Sequence, residues 1–303
     1  MKFEGIYTPA ATAYGVDGQF NKSVYAELLE SLISGGVHGI IIGGSTGEYY
    51  AQTVQERFEI AAYAREVIGT RTALIVGTGA TRTEDAVAYG QAAKEIGADA
   101  ILITSPPYAL PTENENAIHA LKVDQATNLP IMLYNYPARM GVSMGETYFK
   151  EVIKSKNVIA IKESSGDMGS VHMLARQFPQ IALSCGWDDQ ALEFFAWGAR
   201  SWVCAGSNFL PQEHIALYQA CVIEKNFDKG RKLMTAMLPF MNFLDAGKFV
   251  QSIKYGCTLN GFAVGEARAP LGPLDAEEKE KLQTIIATLK SDIAAILSET
   301  NNA

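Results

Sequence analysis

Lys162 stands in the stretch NVIAIKESSGD, Asn157 to Asp167, at the exit of a short apolar run. An ammonium is among the costliest side-chain ends to bury, so core strands usually lack lysine. Walled in by apolar neighbours, a lysine loses hydration of its charged form and its pKa falls. From an ordinary value of about 10.4, full deprotonation at pH 7 corresponds to roughly 4–5 kcal/mol. The neutral amine is a nucleophile toward ketones and forms Schiff bases. The bland alternative is a lysine that leaves the core and carries its charge into water, paired with Glu163. Adjacent strand residues point to opposite faces, so these two do not share one, and Glu163 is expected to point away.

Other residues at the ends of apolar runs have chemistry to match. Tyr134, in LYNYPARMG, leaves the run next to that of Lys162, and a phenol there relays protons among amine, carbinolamine and substrate. Its alternative is a packed tyrosine with the hydroxyl in a crevice. GGSTGE, Gly43 to Glu48, combines small residues, backbone N–H groups and two hydroxyls. Such a turn either holds an anion such as a carboxylate or is simply a tight turn with an N-cap. Arg139 is placed to clamp a carboxylate or to sit solvated at the surface. Glu48 and Glu163 form a conceivable glycosidase pair, disfavoured because Glu163 faces outward if Lys162 faces inward. Asp188 and Asp189 occupy the place where phosphate-binding barrels put Gly-rich sites, which argues against a phosphorylated substrate or FMN. His38, His119, His172 and His214 show no ligand spacing, so no metal is expected.

These residues need a scaffold that gathers strand ends. Eight apolar runs recur: GIYTPAAT, GVHGIIIGGS, TALIVGTG, DAILITSP, LPIMLYNYP, NVIAIKES, IALSCGW and SWVCAGSN. Helix-period stretches lie between them, as at Val54–Ile68 and Thr83–Ile96. Thr53, Thr83 and Ser143 are candidate N-caps, Ser143 with Glu146 at capping-box spacing, and Gly97 is a candidate C-cap. Strands apolar on both faces and alternating with helices imply a parallel sheet, and eight such units imply an α/β fold, a (β/α)8 barrel with function at the C-terminal strand ends. A doubly wound sheet competes, but GTGATR has Arg82 where a nucleotide fingerprint needs its third Gly. From Pro211 onward the strand signal stops. The reading is a barrel over 1–220 and a C-terminal helical region over 221–303 packed on it.

Composition narrows the partners. The chain has 303 residues, 48% hydrophobic and 19% charged, with a formal net charge of -8 and a pI near 5.1. That balance argues against nucleic-acid and anionic-membrane surfaces. Cys185, Cys204, Cys221 and Cys257 are scattered, with no C-x-x-C, and read as buried free thiols in a reducing cytoplasm. The N-terminus lacks a signal-peptide pattern, and no run approaches a membrane span.

Taken together, Lys162 in AIKESSGD, Tyr134 in LYNYPARMG and Ser45-Thr46 in GGSTGE resemble the dihydrodipicolinate synthase / N-acetylneuraminate lyase family, and RAPLGPL around Arg268 is similar to that family's C-terminal pattern. The resemblance implies a (β/α)8 barrel with a C-terminal helical region, assembled as a homotetramer, a dimer of dimers. It implies a Schiff base with pyruvate or another 2-oxo acid and no cofactor beyond that covalent imine. Lys162 would attack the ketone carbon, Ser45 and Thr46 hold the carboxylate, and Tyr134 shuttle protons. Tyr108 matches a second relay tyrosine that reaches in from a neighbouring subunit, and Arg139 matches the arginine for a second carboxylate. Gly47, Gly186 and Val203 complete the implied substrate-binding set. The chain departs from the synthase pattern at Ser45, at Pro107 and in GEYYAQT, while Val54, Arg57 and Pro107 replace the residues of the bacterial lysine feedback site. The expectation is therefore a catabolic lyase, acting on a 2-keto-3-deoxy sugar acid or as a hydroxypyrroline-carboxylate deaminase. A true 4-hydroxy-tetrahydrodipicolinate synthase and an N-acetylneuraminate lyase are the alternatives. From other classes come a non-catalytic barrel that binds a small acid and a metal-dependent barrel hydrolase, the latter disfavoured by the missing ligand spacing.

Overall fold

A computed structural model describes residues 1–300. Each apolar run contains one parallel strand: β1 (Gly5–Pro9), β2 (Gly39–Ile42), β3 (Ala73–Gly77), β4 (Ala100–Thr104), β5 (Ile131–Asn135), β6 (Val158–Glu163), β7 (Ala182–Cys185) and β8 (Ser201–Val203). They close in sequence order, β8 pairing back to β1. Strand alternation divides their side chains between two cores. Ile41, Ile75, Leu102, Met132, Tyr134, Ala160 and Val203 fill the barrel interior, while Ile40, Ile42, Ile101, Ile103, Leu133 and Ile161 face the surrounding helices. On β6, Ala160 is inside and Ile161 outside, so the period of two sends Lys162 inward and Glu163 outward.

The helix Val54–Ile68 has the expected bounds, and Thr53 and Glu56 form a reciprocal capping box. Two expected caps are corrected. Arg82 precedes the Thr83–Glu95 helix, and the Thr83 hydroxyl instead meets His119 Nδ1 at 3.0 Å. The Glu146–Val152 helix starts after Gly145 with no side-chain cap. Glu113 from another helix accepts the Tyr148 N–H at 2.8 Å, so the role expected of Ser143 is filled from across the fold, and Glu146 pairs with Lys150. Gly97 follows the last helical residues with φ +72, the left-handed step a helix end favours.

Beyond β8 the chain is helical: Pro211–Tyr218, a π turn Gln219–Ile223, then Phe227–Asp245, Phe249–Leu259 and Ala276–Thr300. Leu233, Met237 and Phe240 join the outer barrel core, and the Phe227–Asp245 helix packs along Ala276–Thr300. The short connection between Asp245 and Phe249 lies over the C-terminal mouth of the barrel. Among the described residues, no helix is long and apolar enough to cross a membrane.

Candidate active site

The pairing of β5 with β6 sets Tyr134 directly beside Lys162. The Lys162 ammonium lies 4.2 Å from the centre of the Tyr134 ring. Only 9% of Lys162 is exposed. Burial pushes its pKa down to about 8, against the opposing pull of the Asp188 carboxylate. Among the described residues Lys162 makes no ion pair, whereas the other buried lysine, Lys254, contacts Glu48 at 2.7 Å. A lysine without a contact anion is the one whose ammonium is easily discharged.

Asp188 follows β7 and accepts the Trp202 indole N–H at 2.8 Å. Burial raises this carboxyl to about 7, while the Trp202 hydrogen bond and the Lys162 charge oppose the rise. Burial thus pushes the amine of this cavity down and its carboxyl up, toward one another. Burial also lifts the Tyr134 phenol to about 12, moderated by the Arg139 charge and by hydrogen bonds with Ser45 and Ser164. The Ser45 bond connects the lysine's neighbour to the Gly43–Glu48 turn.

Gly186 is required by close approach. A Cβ there would lie 2.6 Å from Lys162 Cγ, 2.0 Å from Ser164 Oγ and 2.9 Å from the Glu163 carbonyl. The lysine stem passes over a bare backbone that is itself tied down, Gly186 N–H donating to Glu163 at 2.9 Å and its carbonyl accepting from Ser164 at 2.8 Å.

The turn after β2 is closed by Gly47 N–H to the Gly44 carbonyl at 3.1 Å and Glu48 N–H to the Ser45 carbonyl at 3.1 Å. The N–H groups of Ser45 and Thr46 find no acceptor among the described residues, and both residues line the cavity. Two unclaimed amides beside two hydroxyls are groups of the kind that can donate to an anion such as a carboxylate.

The cavity has a volume of about 680 Å³, within the range of small-molecule sites. Ser45, Thr46, Tyr134, Arg139, Lys162, Gly186 and Val203 all line it. Gly47 does not; its carbonyl accepts from Thr12 Oγ1 and Gln52 Nε2, both at 2.7 Å. Tyr108 lies outside as well, 93% exposed and with φ +70. Glu163 points away from Lys162 but is buried, accepting from Asn135 at 2.8 Å and from the Ser165 N–H at 2.7 Å. With Glu48 tied to Lys254, the two glutamates form no glycosidase pair. Among the described residues no group of three or more His, Cys, Asp or Glu is arranged to hold a metal.

Several cavity residues carry no role that the sequence assigns. Tyr136 and Trp187 stand at strand ends and Tyr50 in GEYYAQT, with no role expected of them; only Tyr136, two residues after Tyr134, has alternation as a usable signal. Asp188 was noted only as an argument against phosphate. Asp245, Lys248 and Phe249 come from the helical region, and nothing in their local sequence marks them.

Residues 2–289 match the profile of the Dihydrodipicolinate synthetase family. The chain belongs to this family. Among its members, the 4-hydroxy-tetrahydrodipicolinate synthase of Exiguobacterium sp. AT1b is 33% identical over 281 residues, 92% of this chain and 96% of that protein. Escherichia coli K12 YagE, provisionally named a 2-dehydro-3-deoxy-D-gluconate aldolase, is 31% identical over 95% of this chain and 97% of its own. The structure of the 4-hydroxy-tetrahydrodipicolinate synthase from Methylacidiphilum fumariolicum SolV superposes with a TM-score of 0.93 at 30% identity, covering 98% of this chain and 99% of the other. The crystal structure of YagE, which was solved in complex with pyruvate, gives a TM-score of 0.90 at 28% identity, with 96% and 99% covered. Lyases and synthases of this family thus share the closed barrel and the C-terminal helices seen here.

Proposed function

We propose that the protein is a class I lyase that forms a Schiff base between Lys162 and pyruvate or a related 2-oxo acid, with no other cofactor. The observation that carries the reading is a buried lysine with no contact anion, lying over Tyr134 in a cavity that also holds the Ser45-Thr46 amides. The neutral Lys162 amine adds to the ketone carbon while the carboxylate rests on Ser45 and Thr46. Tyr134 passes protons to and from the carbinolamine, which loses water to give the imine. In the degradative direction Tyr134, having given its own proton to the departing water, takes a substrate hydroxyl proton as a phenolate. The adjacent carbon–carbon bond breaks, its electrons pass into the imine as an enamine, and an aldehyde leaves.

For the finer assignment we favour a catabolic 2-keto-3-deoxy sugar acid substrate. Two features support it: the likeness to YagE, and the cavity carboxylates Asp188 and Asp245, which accept hydrogen bonds from hydroxyls. A second reading is synthesis from pyruvate and aspartate semialdehyde. Arg139 at the cavity wall and the relatives named 4-hydroxy-tetrahydrodipicolinate synthase support that one. A cytoplasmic homotetramer, with Tyr108 placed against another subunit's cavity, is part of the same proposal, and its exposure suits that role.

Borohydride treatment with pyruvate, followed by intact-mass analysis, tests the imine. The expected result is one covalent adduct on Lys162 and none in Lys162→Ala; equal labelling of the variant sinks the proposal. A substrate panel followed by mass spectrometry then separates the sugar-acid lyase from the synthase, the hydroxypyrroline-carboxylate deaminase and the N-acetylneuraminate lyase.

A further inference from the structure

The most deeply buried ion pair among the described residues lies outside the cavity. Glu48 and Lys254 meet at 2.7 Å with side chains 0% and 1% exposed. Glu48 ends the Gly43–Glu48 turn with φ +61, a left-handed conformation that few residues other than glycine adopt. Its second oxygen accepts the Arg268 N–H at 2.7 Å. Lys254, on the Phe249–Leu259 helix, also donates to the Glu266 carbonyl at 2.9 Å and lies 4.5 Å over the Tyr14 ring. The Arg268 guanidinium spans the Ala51 carbonyl at 2.9 Å, the Gly18 carbonyl at 2.7 Å and the Glu56 carboxylate. One carboxylate therefore ties the turn after β2 to two separate parts of the C-terminal region. From the other side Thr12 and Gln52 hold the Gly47 carbonyl.

A buried ion pair is a weak source of stability, because apolar side chains of similar volume often do as well. It does fix geometry, since each charge must meet its partner in one place. We propose that Glu48 and Lys254 are positioning residues through which the C-terminal helical region holds the Ser45 and Thr46 amides in register for a substrate carboxylate. The inference rests on the assignment of that turn to the carboxylate. It gives the helical region a part in substrate binding beyond the residues it lends to the cavity wall.

The test uses the full-length protein, Lys254→Met and the double variant Glu48→Gln/Lys254→Met. The double variant leaves no unpaired buried charge and stands in if the single one does not fold. Two readouts are taken: the pyruvate dependence of borohydride trapping at Lys162, and hydrogen exchange of the 43–48 amides. Folded variants should need roughly tenfold more pyruvate for half-maximal trapping, with the rate at saturation within about threefold of the parent. Amide exchange in the turn should quicken in the same variants. A folded variant with parental half-saturation and parental exchange overturns the proposal. If the parent itself is not trapped by pyruvate, the carboxylate assignment fails, and unchanged or quickened exchange still decides whether the pair holds the turn.

Discussion

Asp188→Asn removes one charge from the cavity and keeps its shape. The asparagine oxygen can still accept the Trp202 N–H that Asp188 accepts at 2.8 Å. Burial depresses Lys162 and Asp188 partly restores it, so the variant should depress Lys162 further. Asp188 and Lys162 make no contact ion pair, which sets a ceiling. Two unit charges 4 Å apart at an effective dielectric of about 20 interact by about 4 kcal/mol, and at twice that distance by about 2. At about 1.4 kcal/mol per unit, a downward shift of roughly one and a half units is expected for groups at the larger separation. The assay is the rate of reductive trapping of pyruvate as a function of pH. Protonated amine cannot attack, so the rate rises with pH through the Lys162 titration, near about 8 in the parent. In Asp188→Asn the inflection should move to lower pH, and the second titration of the parent, from Asp188 near about 7, should vanish. An inflection that stays in place or moves up refutes the coupling of these groups, and a parent inflection in the ordinary lysine range, about 10.4, refutes the argument that burial activates the lysine.

Three further outcomes follow from the same geometry. Tyr134→Phe keeps the ring over Lys162 but removes the proton relay, so imine formation should fall by about 10²–10⁴-fold while the melting temperature drops only slightly; parental trapping rates would remove Tyr134 from the mechanism. Gly186→Ala forces a methyl group against Ser164, the Lys162 stem and the Glu163 carbonyl, and urea unfolding should show a loss of about 1–3 kcal/mol together with weak trapping. The Arg268 guanidinium holds Glu56 down to about 2, so its folded pKa lies below the unfolded one. The stability it contributes is complete above the ordinary carboxylate range and is lost as pH falls toward about 2. Glu56→Gln should therefore flatten the acid limb of a pH–stability curve measured by urea midpoints, and an unaltered limb would count against the pair.

The barrel was legible in the chain because parallel strands covered on both faces leave eight separate apolar runs, and each run became one strand. The helix Val54–Ile68 was legible for a similar reason, its apolar period and its Thr53-to-Glu56 cap both being local. Ser143 was misread because the groups that meet the Glu146–Val152 helix come from elsewhere, Glu113 among them. Alternation along β6 was enough to separate Lys162 from Glu163. The register with β5, which puts Tyr134 beside Lys162, follows from barrel closure and not from spacing in the chain.

By itself the sequence determined the strand count, the strand ends and the residue types that stand there, since these rest on periods of two and 3.6 and on short turns. Only the tertiary structure decided how two buried lysines differ. Lys254 is neutralised by Glu48, some two hundred residues away in the chain, while Lys162 faces Asp188 across a cavity and is left dischargeable. Burial and the distance to the nearest opposite charge set a lysine's chemistry, and both are properties of packing between segments that no local pattern encodes.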